Sequence, residues 1–134
     1  MAKPPTRVAF VCLHGSAKSV LAAEYLNRLA GERGLAVRAT ASGREPDDAI
    51  PPNVVEGLAR KGFDVRGRKP LPATAQRFEE SDVVVSFGCD LDGRVPGERT
   101  IELWSACPAV SDDFDAAWRF ITGRVDRLLE TAKA

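Results

Sequence analysis

One cysteine near the amino end of the chain is followed by a basic residue and a hydroxyl at a spacing that suits attack on an oxyanion. Cys12 opens the segment CLHGSAKS, which ends in Lys18 and Ser19. The small residues Gly15 to Ala17 allow backbone N–H groups to converge on one centre, where they can bind oxyanion oxygens. Lys18 adds positive charge, and the Ser19 hydroxyl can donate a hydrogen bond to the sulfur. Cys12 is therefore predicted to be a thiolate nucleophile that attacks phosphorus or arsenic.

The pattern Cys-x5-Lys-Ser is short, so whether it indicates an oxyanion-binding site depends on the strand and helix around it. The residues that it predicts to bind the oxyanion are Leu13, His14, Gly15, Ser16, Ala17 and Lys18. A Walker-type nucleotide loop is set aside, because its two glycines would have to lie at Cys12 and Ala17. His14 is expected to contribute its backbone N–H rather than to act as a catalytic base.

A buried strand and an amphipathic helix are predicted on either side of this segment. Val8 to Val11 is an apolar run too short for a helix, and from Ser19 the apolar residues recur at helical spacing. Gly31 and Gly34 are expected to break the helix, and Leu35 to Ala41 is predicted as a second strand. A right-handed strand–helix–strand unit has parallel strands, and open α/β sheets bind ligands at their carboxyl edge. Cys12 is predicted to lie at that edge.

The rest of the chain predicts two further strands and three further helices. Helices are expected from Asn53, as the cap, to about Lys61, over Thr74 to Ser81, and from Asp112 to about Ala132. Strands are expected over Asp82 to Phe87 and Arg99 to Trp104. A polar loop is predicted over Asp90 to Gly97, and a loop that emerges on the ligand-binding edge is predicted over Ser105 to Ser111. The basic segment Phe63 to Leu71 is expected to be a solvated loop or, alternatively, to guide an anion toward Cys12.

Composition and charge limit the class of partner. A length of 134 residues with 44% hydrophobic residues predicts one domain, residues 1–134, with a sizeable core. Nineteen basic and nineteen acidic residues balance, which argues against a nucleic-acid or membrane partner and favours a small one. The apolar segment near the amino end is shorter than a signal-peptide core, and no transmembrane run follows, so a cytoplasmic location is expected.

The cysteines are predicted to act as separate thiols. Cys12, Cys89 and Cys107 are odd in number and contain no Cys-x2-Cys pair, which argues against a disulfide framework and a zinc site. No metal and no cofactor are predicted. Cys89 and Cys107 follow predicted strands, so each is read either as a working thiol or as a packing residue.

Several segments, in order and spacing, resemble the low-molecular-weight protein tyrosine phosphatases, and most closely their arsenate-reductase branch. These segments are VAFVCLHGSAKS, TASGREP, NVVEGLARKGFDV, DVVVSFGCD, ELW and CPA. The resemblance covers nearly the whole chain and implies an α/β fold with a four-stranded parallel sheet flanked by helices. It also implies that Ser19 donates to the Cys12 thiolate and that Cys89 attacks Cys12. The resulting disulfide would be reduced by thioredoxin or a low-molecular-weight thiol.

The predicted site departs from the family pattern at several positions. Lys18 replaces an arginine, and a lysine cannot make the bidentate contact of a guanidinium with an oxyanion. Cys107 replaces the aspartate of an Asp-Pro pair that supplies the general acid, which argues against phosphate-ester hydrolysis. Gly15 replaces an asparagine, and this change is benign because glycine adopts positive φ. The third redox cysteine of many arsenate reductases is absent after Cys89, and Cys107 is a candidate substitute.

Three functions are compatible with these residues. The first is an arsenate reductase, in which Cys12 attacks arsenate and Cys89 or Cys107 displaces arsenite by forming a disulfide. The second is a catalytically degenerate relative that binds an oxyanion or a phosphorylated partner. The third is a tyrosine phosphatase. The arsenate reductase is favoured, because a leaving hydroxide or water depends less on protonation by a general acid than a leaving tyrosine does.

Overall fold

The computed structural model describes residues 6–89, 91, 95 and 100–133. In this part of the chain the elements are β1 (Thr6–Cys12), α1 (Lys18–Arg33), β2 (Val37–Gly43), α2 (Pro52–Arg60), α3 (Ala75–Glu79), β3 (Val83–Ser86), β4 (Thr100–Leu103) and α4 (Phe114–Lys133). The predicted α/β class is confirmed. The loop predicted over Asp90 to Gly97 lies outside the described residues, apart from residues 91 and 95.

The four strands form one parallel sheet in the order β2-β1-β3-β4. The chain passes from β1 to a neighbour on one side and later to a neighbour on the other, so the strand order reverses at β1. A crevice opens at such a reversal, beyond the carboxyl ends of the strands. Cys12 is the last residue of β1 and pairs with Gly43, the last residue of β2. The sheet therefore places Cys12 at the mouth of the crevice.

Helices α1 and α4 pack against each other on one face of the sheet. The apolar face of α4 consists of residues four apart, all fully buried: Ala117, Ile121, Val125 and Leu129. Tyr25 of α1 donates a hydrogen bond of 2.8 Å to Asp126 of α4, and its burial, aided by this bond, raises the pKa of Tyr25 to about 12. Each large apolar side chain buried here contributes roughly 1.5–3 kcal/mol to stability.

An aromatic cluster supports the carboxyl end of the central strand. The Phe10 ring lies 6.3 Å from the Phe87 ring and 5.6 Å from the Trp104 ring, centroid to centroid. Phe10 is in β1, whereas Phe87 and Trp104 directly follow β3 and β4. The ends of three neighbouring strands are thus packed together beneath the crevice.

Two predictions about the first strand–helix–strand unit are wrong in detail. Gly31 does not break α1, which continues to Arg33 and ends where Gly34 takes the left-handed conformation with φ 66°. β2 runs two residues later than predicted, because the helix and its cap occupy positions up to Gly34 and pairing with β1 extends to Gly43.

Two helix starts also differ from the predictions. Asn53 is not the cap of α2: Pro51 occupies that position, and Pro52 begins the helix because its fixed φ suits the first turn. α4 begins at Phe114 rather than Asp112. The Asp113 carboxylate accepts a hydrogen bond of 3.0 Å from the Ala116 N–H, which is how a side chain caps a helix start.

Within the part of the chain that the structure describes, no helix has both the length and the apolar character needed to cross a membrane.

Candidate active site

Cys12 and Ser19 are brought into contact by the turn between β1 and α1. The Cys12 side chain is buried, with 8% of its surface exposed, and its Sγ lies 3.1 Å from the Oγ of Ser19. Ser19 is fully buried in the first turn of α1. When the sulfur is a thiolate, the hydroxyl is necessarily the donor in this contact. The geometry is that of a stabilised sulfur nucleophile.

The loop between Cys12 and α1 has its carbonyl groups bound to the segment that follows β2. The carbonyls of Cys12, Leu13 and His14 accept hydrogen bonds of 3.2, 2.7 and 3.1 Å from backbone N–H groups in residues 44–47. Among the described residues, none receives a hydrogen bond from the backbone N–H groups of Leu13 to Lys18. The loop therefore offers a set of unbonded donors, the requirement for binding an anion.

The start of α1 contributes positive electrostatic potential to the same loop. The cap residue Ala17 makes no side-chain hydrogen bond to the helix, and no acidic residue lies in the first turn. The partial positive charge of the helix N-terminus is therefore not neutralised locally. Lys18 is half-buried, and its side chain makes no ion pair or hydrogen bond within residues 6–89, 91, 95 and 100–133.

The loop lines a cavity of about 470 Å³. The loop residues on its wall are Cys12, Leu13, His14, Ser16, Ala17 and Lys18. Apolar walls come from Val54 of α2, from Phe87 and from Val110, the last in the loop after β4. The loop predicted over Ser105 to Ser111 thus reaches the ligand-binding edge, as the sequence indicated.

Gly15 is the one predicted oxyanion residue that does not line this cavity. It adopts φ +64°, as predicted for a glycine in this loop, and is buried against Gly43. A Cβ added to Gly15 would lie 2.5 Å from the nitrogen of Gly43, and a Cβ added to Gly43 would lie 2.4 Å from the nitrogen of Gly15. The backbone of the loop therefore packs directly against the end of β2 at these two glycines.

Cys89 shares the cavity with Cys12. It is partly exposed, and its sulfur lies 3.8 Å from the Ser86 hydroxyl. Burial raises the pKa of the Cys89 thiol, and the nearby charge of Cys12 adds to the shift, while the Ser86 hydrogen bond and the Arg44 charge oppose it. Cys89 therefore lies within electrostatic reach of Cys12.

Cys107 lies in the loop that follows β4, where it is buried, and it does not line the cavity. Its thiol donates to the carbonyl of Pro108 at 3.5 Å. Burial raises the pKa of Cys107, the positive charge of Lys18 opposes this shift, and the charge of Cys12 adds to it. Cys107 thus lies within electrostatic reach of both Cys12 and Lys18. All three cysteines are free thiols.

Asp47 is a residue of the site that the sequence analysis missed. It lines the cavity, its Oδ2 accepts a hydrogen bond of 2.7 Å from Ser16, and its Oδ1 lies 3.5 Å from the Nδ1 of His14. The sequence showed only turn-forming residues from Ser42 to Pro52. The available signal was an acidic side chain in a turn that leaves a strand at the ligand-binding edge.

The basic segment lies beside α1 rather than at the cavity. Arg66 pairs with Asp64 at 3.0 Å, and Arg68 pairs with Glu24 of α1. Neither arginine lines the Cys12 cavity. These contacts agree with the prediction that the segment is a solvated loop. They do not support the alternative that it guides an anion toward Cys12.

Iodoacetamide is expected to alkylate Cys12 before Cys89 and Cys107 at neutral pH. Burial raises the pKa of both Cys89 and Cys107, so only a small fraction of either is thiolate, whereas Cys12 has Ser19, loop N–H groups and Lys18 around it. Labelling of Cys89 and Cys107 should accelerate as the pH rises toward their pKa values. Mass spectrometry of time-resolved digests measures the order, and faster labelling of either residue than of Cys12 would contradict the assignment.

The comparisons with known proteins agree with this fold. A model of the low molecular weight phosphotyrosine protein phosphatases matches residues 7–100. A curated relative, "Putative arsenate reductase" of Halobacterium salinarum, is 29% identical over 86 residues, which are 63% of this chain and 61% of that protein.

Two solved structures show the same architecture. The thioredoxin-dependent arsenate reductase Cg_ArsC1' of Corynebacterium glutamicum is 27% identical, with a TM-score of 0.80 over 99% of this chain and 64% of that one. A low molecular weight phosphotyrosine phosphatase of Vibrio cholerae O395 is 17% identical, with a TM-score of 0.83 over 96% of this chain and 97% of that one. The chain spans less than two thirds of the length of the Halobacterium and Corynebacterium proteins.

The fold is that of the low molecular weight phosphatases and arsenate reductases. The chain belongs to the low molecular weight phosphotyrosine protein phosphatase family. The resemblance predicted from the sequence, to this family and to its arsenate reductases, is confirmed.

Proposed function

We propose that this protein is a thiol-dependent arsenate reductase in which Cys12 is the nucleophile. The observation that carries the proposal is the placement of Cys12: its sulfur is 3.1 Å from a buried hydroxyl, at the start of a loop whose N–H groups are unbonded within the described chain. Leu13 to Lys18 bind the three oxygens that remain on arsenic. Lys18 supplies the charge that the family's arginine would supply.

The reaction has two chemical steps at this site. In the first, the Cys12 sulfur bonds to arsenic, one As–O bond breaks, and the departing oxygen takes a proton and leaves as water. In the second, the thiolate of Cys89 or Cys107 attacks the Cys12 sulfur, so that an S–S bond forms and the S–As bond breaks. The electron pair of that bond stays on arsenic, which leaves as arsenite, As(III). A dithiol of the thioredoxin class, or two low-molecular-weight thiols, returns both cysteines to thiols.

Two features favour arsenate over a phosphate ester as the substrate. First, the aspartate that protonates an ester leaving group in the family is replaced by Cys107, whose pKa is raised by burial. Second, two further thiols lie within electrostatic reach of Cys12, where a phosphatase needs none. The thioredoxin dependence of the Corynebacterium relative supports the proposed reductant. A reducing compartment is needed to keep all three thiols free, which supports a cytoplasmic location.

A binding protein without turnover is the second candidate. Lys18 favours it, because a lysine contributes a point charge where an arginine would hold the transferred group with two parallel hydrogen bonds. Steady-state assays with arsenate plus thioredoxin and its reductase, run beside an aryl phosphate assay, separate the candidates. Arsenate-dependent oxidation of the reductant supports the reductase, and binding without consumption of either substrate supports the second candidate.

Phosphate and arsenate are expected to raise the melting temperature of the protein, because a ligand of the folded state stabilises it by mass action. At 100 times the Kd the gain is about 2.7 kcal/mol, or roughly 10 °C for a domain of this size. Lys18→Ala should weaken binding about 10–100-fold, since a hydrogen bond to a charged group is worth about 1.5–3 kcal/mol. Scanning calorimetry at increasing phosphate concentration measures both effects.

Lys69→Ala is the matched control for that experiment. It removes the same charge from an exposed position outside the cavity. Its melting temperature should respond to phosphate as the unmodified protein does. An equal loss in both variants would show that the response is general screening by salt rather than binding at the loop.

A further inference from the structure

His14, Asp47 and Ser16 form a connected polar group on the wall of the Cys12 cavity. All three line that cavity together with Cys12 and Lys18. The Asp47 carboxylate joins the other two: one oxygen accepts a hydrogen bond of 2.7 Å from Ser16, and the other lies 3.5 Å from the Nδ1 of His14. His14 is the only histidine in the chain. Neither the oxyanion-binding loop nor the three thiols account for this arrangement.

The neighbours of the imidazole fix which nitrogen carries the hydrogen of the neutral ring. Nδ1 lies 3.2 Å from the carbonyl oxygen of Glu45 and 3.5 Å from a carboxylate oxygen of Asp47. Both oxygens are acceptors, so Nδ1 must be the donor. Within the described residues, Nε2 makes no hydrogen bond. The ring is therefore held at one nitrogen, and the other is free to exchange a proton with a ligand in the cavity.

We propose that His14 is the general acid of the first chemical step and that Asp47 is its positioning residue. This inference rests on the proposed function. Protonated Nε2 gives its proton to the arsenate hydroxyl that departs from arsenic as the Cys12 sulfur attacks. The As–S bond forms, the As–O bond breaks, the oxygen leaves as water, and a neutral ring with its hydrogen on Nδ1 remains. The ring is protonated again from solvent, and the oxidation state of arsenic does not change in this step.

The charges around the ring suit this role. The Asp47 carboxylate faces Nδ1 of the ring, while Lys18, Cys12 and Cys89 are the other charged or titratable groups on the cavity wall. The Glu45 carboxylate is directed to Arg44, with 3.5 Å between Oε2 and Nη1, and the carbonyl of Glu45 is the group that faces His14. A histidine donor near neutral pH supplies the proton that the family's aspartate supplies and that Cys107 supplies poorly.

The test compares His14→Asn with the unmodified protein in steady-state arsenate reduction with an excess of the thioredoxin system. Asparagine keeps a donor near the position of Nδ1 and removes Nε2, so the contact with Glu45 can survive while the acid is lost. We expect kcat to fall about 100-fold or more with KM within about threefold, since general acids contribute about 10²–10⁴. Asp47→Asn should lower kcat less, again with little change in KM, and His14→Asn should lack the basic limb of the pH–rate profile that a general acid produces.

A rescue experiment separates a proton donor from a structural residue. In His14→Ala, added imidazole should restore part of the rate, and the rescue should follow the concentration of imidazolium rather than of imidazole. At a pH high enough to make the ring neutral, ¹⁵N spectra of the single labelled histidine should show the Nδ1–H tautomer.

The outcomes distinguish this inference from the proposed function. If His14→Asn turns arsenate over within threefold of the unmodified protein, or if His14→Ala is slow and imidazole does nothing, the general-acid role is overturned and the reductase assignment stands. If the unmodified protein does not turn arsenate over, both are overturned.

Discussion

Cys12→Ser is expected to abolish arsenate reduction, with a loss on the order of 10⁴-fold or more, because the variant has no sulfur to bond to arsenic. Binding of the oxyanion should survive, since the loop N–H groups and Lys18 are unchanged. The measurements are steady-state reduction of arsenate with a thioredoxin system and the phosphate-dependent shift in melting temperature. Activity above one hundredth of that of the unmodified protein would show that another thiol carries out the attack.

The two other cysteines provide the controls and identify the resolving thiol. Cys89→Ser and Cys107→Ser each keep the nucleophile, so either variant should still form the Cys12–arsenic adduct in a single turnover. The variant that lacks the resolving thiol should stop there, and the other should continue to arsenite. Mass spectrometry of the non-reduced digest then shows a Cys12–Cys89 or a Cys12–Cys107 disulfide. Cys89 is the expected partner, because it lines the same cavity as Cys12 whereas Cys107 does not.

Gly15→Ala is expected to destabilise the fold strongly and to remove anion binding. The new Cβ would lie 2.5 Å from the Gly43 nitrogen and 2.8 Å from the Gly43 Cα, so the loop must move away from β2. The cost of a non-glycine residue at positive φ, about 1–2 kcal/mol, adds to the clash, which costs about 1–3 kcal/mol. Urea unfolding measures the loss in free energy of unfolding, and calorimetry with phosphate measures the loss of binding.

Two other glycines separate the conformational cost from the clash. Gly34 has φ 66° and open space where its Cβ would lie, so Gly34→Ala should lose only the conformational term and should still bind phosphate. Gly43→Ala meets the backbone of Gly15 at 2.4 Å without a positive φ, so it should lose binding through the clash alone. Equal losses in the free energy of unfolding of the Gly15 and Gly34 variants, with phosphate binding intact in both, would contradict the proposed packing of the loop against Gly43.

Much of the local structure around Cys12 could be predicted from the sequence alone. The apolar run through Val11, the helical periodicity after Ser19 and the small residues between them are local signals, because each depends on residues a few positions apart. They correctly predicted a strand, a loop and a helix, with Cys12 at the carboxyl edge of the sheet. Element boundaries were less accurate where capping decides them, as at Gly34 and Pro52, because a helix end depends on one residue's backbone conformation.

Only the tertiary structure decided how the loop is held and what surrounds the cysteine. The docking of residues 44–47 on the loop carbonyls, the contact of Gly15 with Gly43, and the link from Asp47 to His14 and Ser16 join residues about thirty positions apart. No periodicity encodes such contacts. They follow from the parallel register that sets Cys12 beside Gly43, which brings the turn after β2 against the loop after β1. The chemistry of Cys12 is thus a property of local sequence, and the surroundings that orient it are a property of strand pairing.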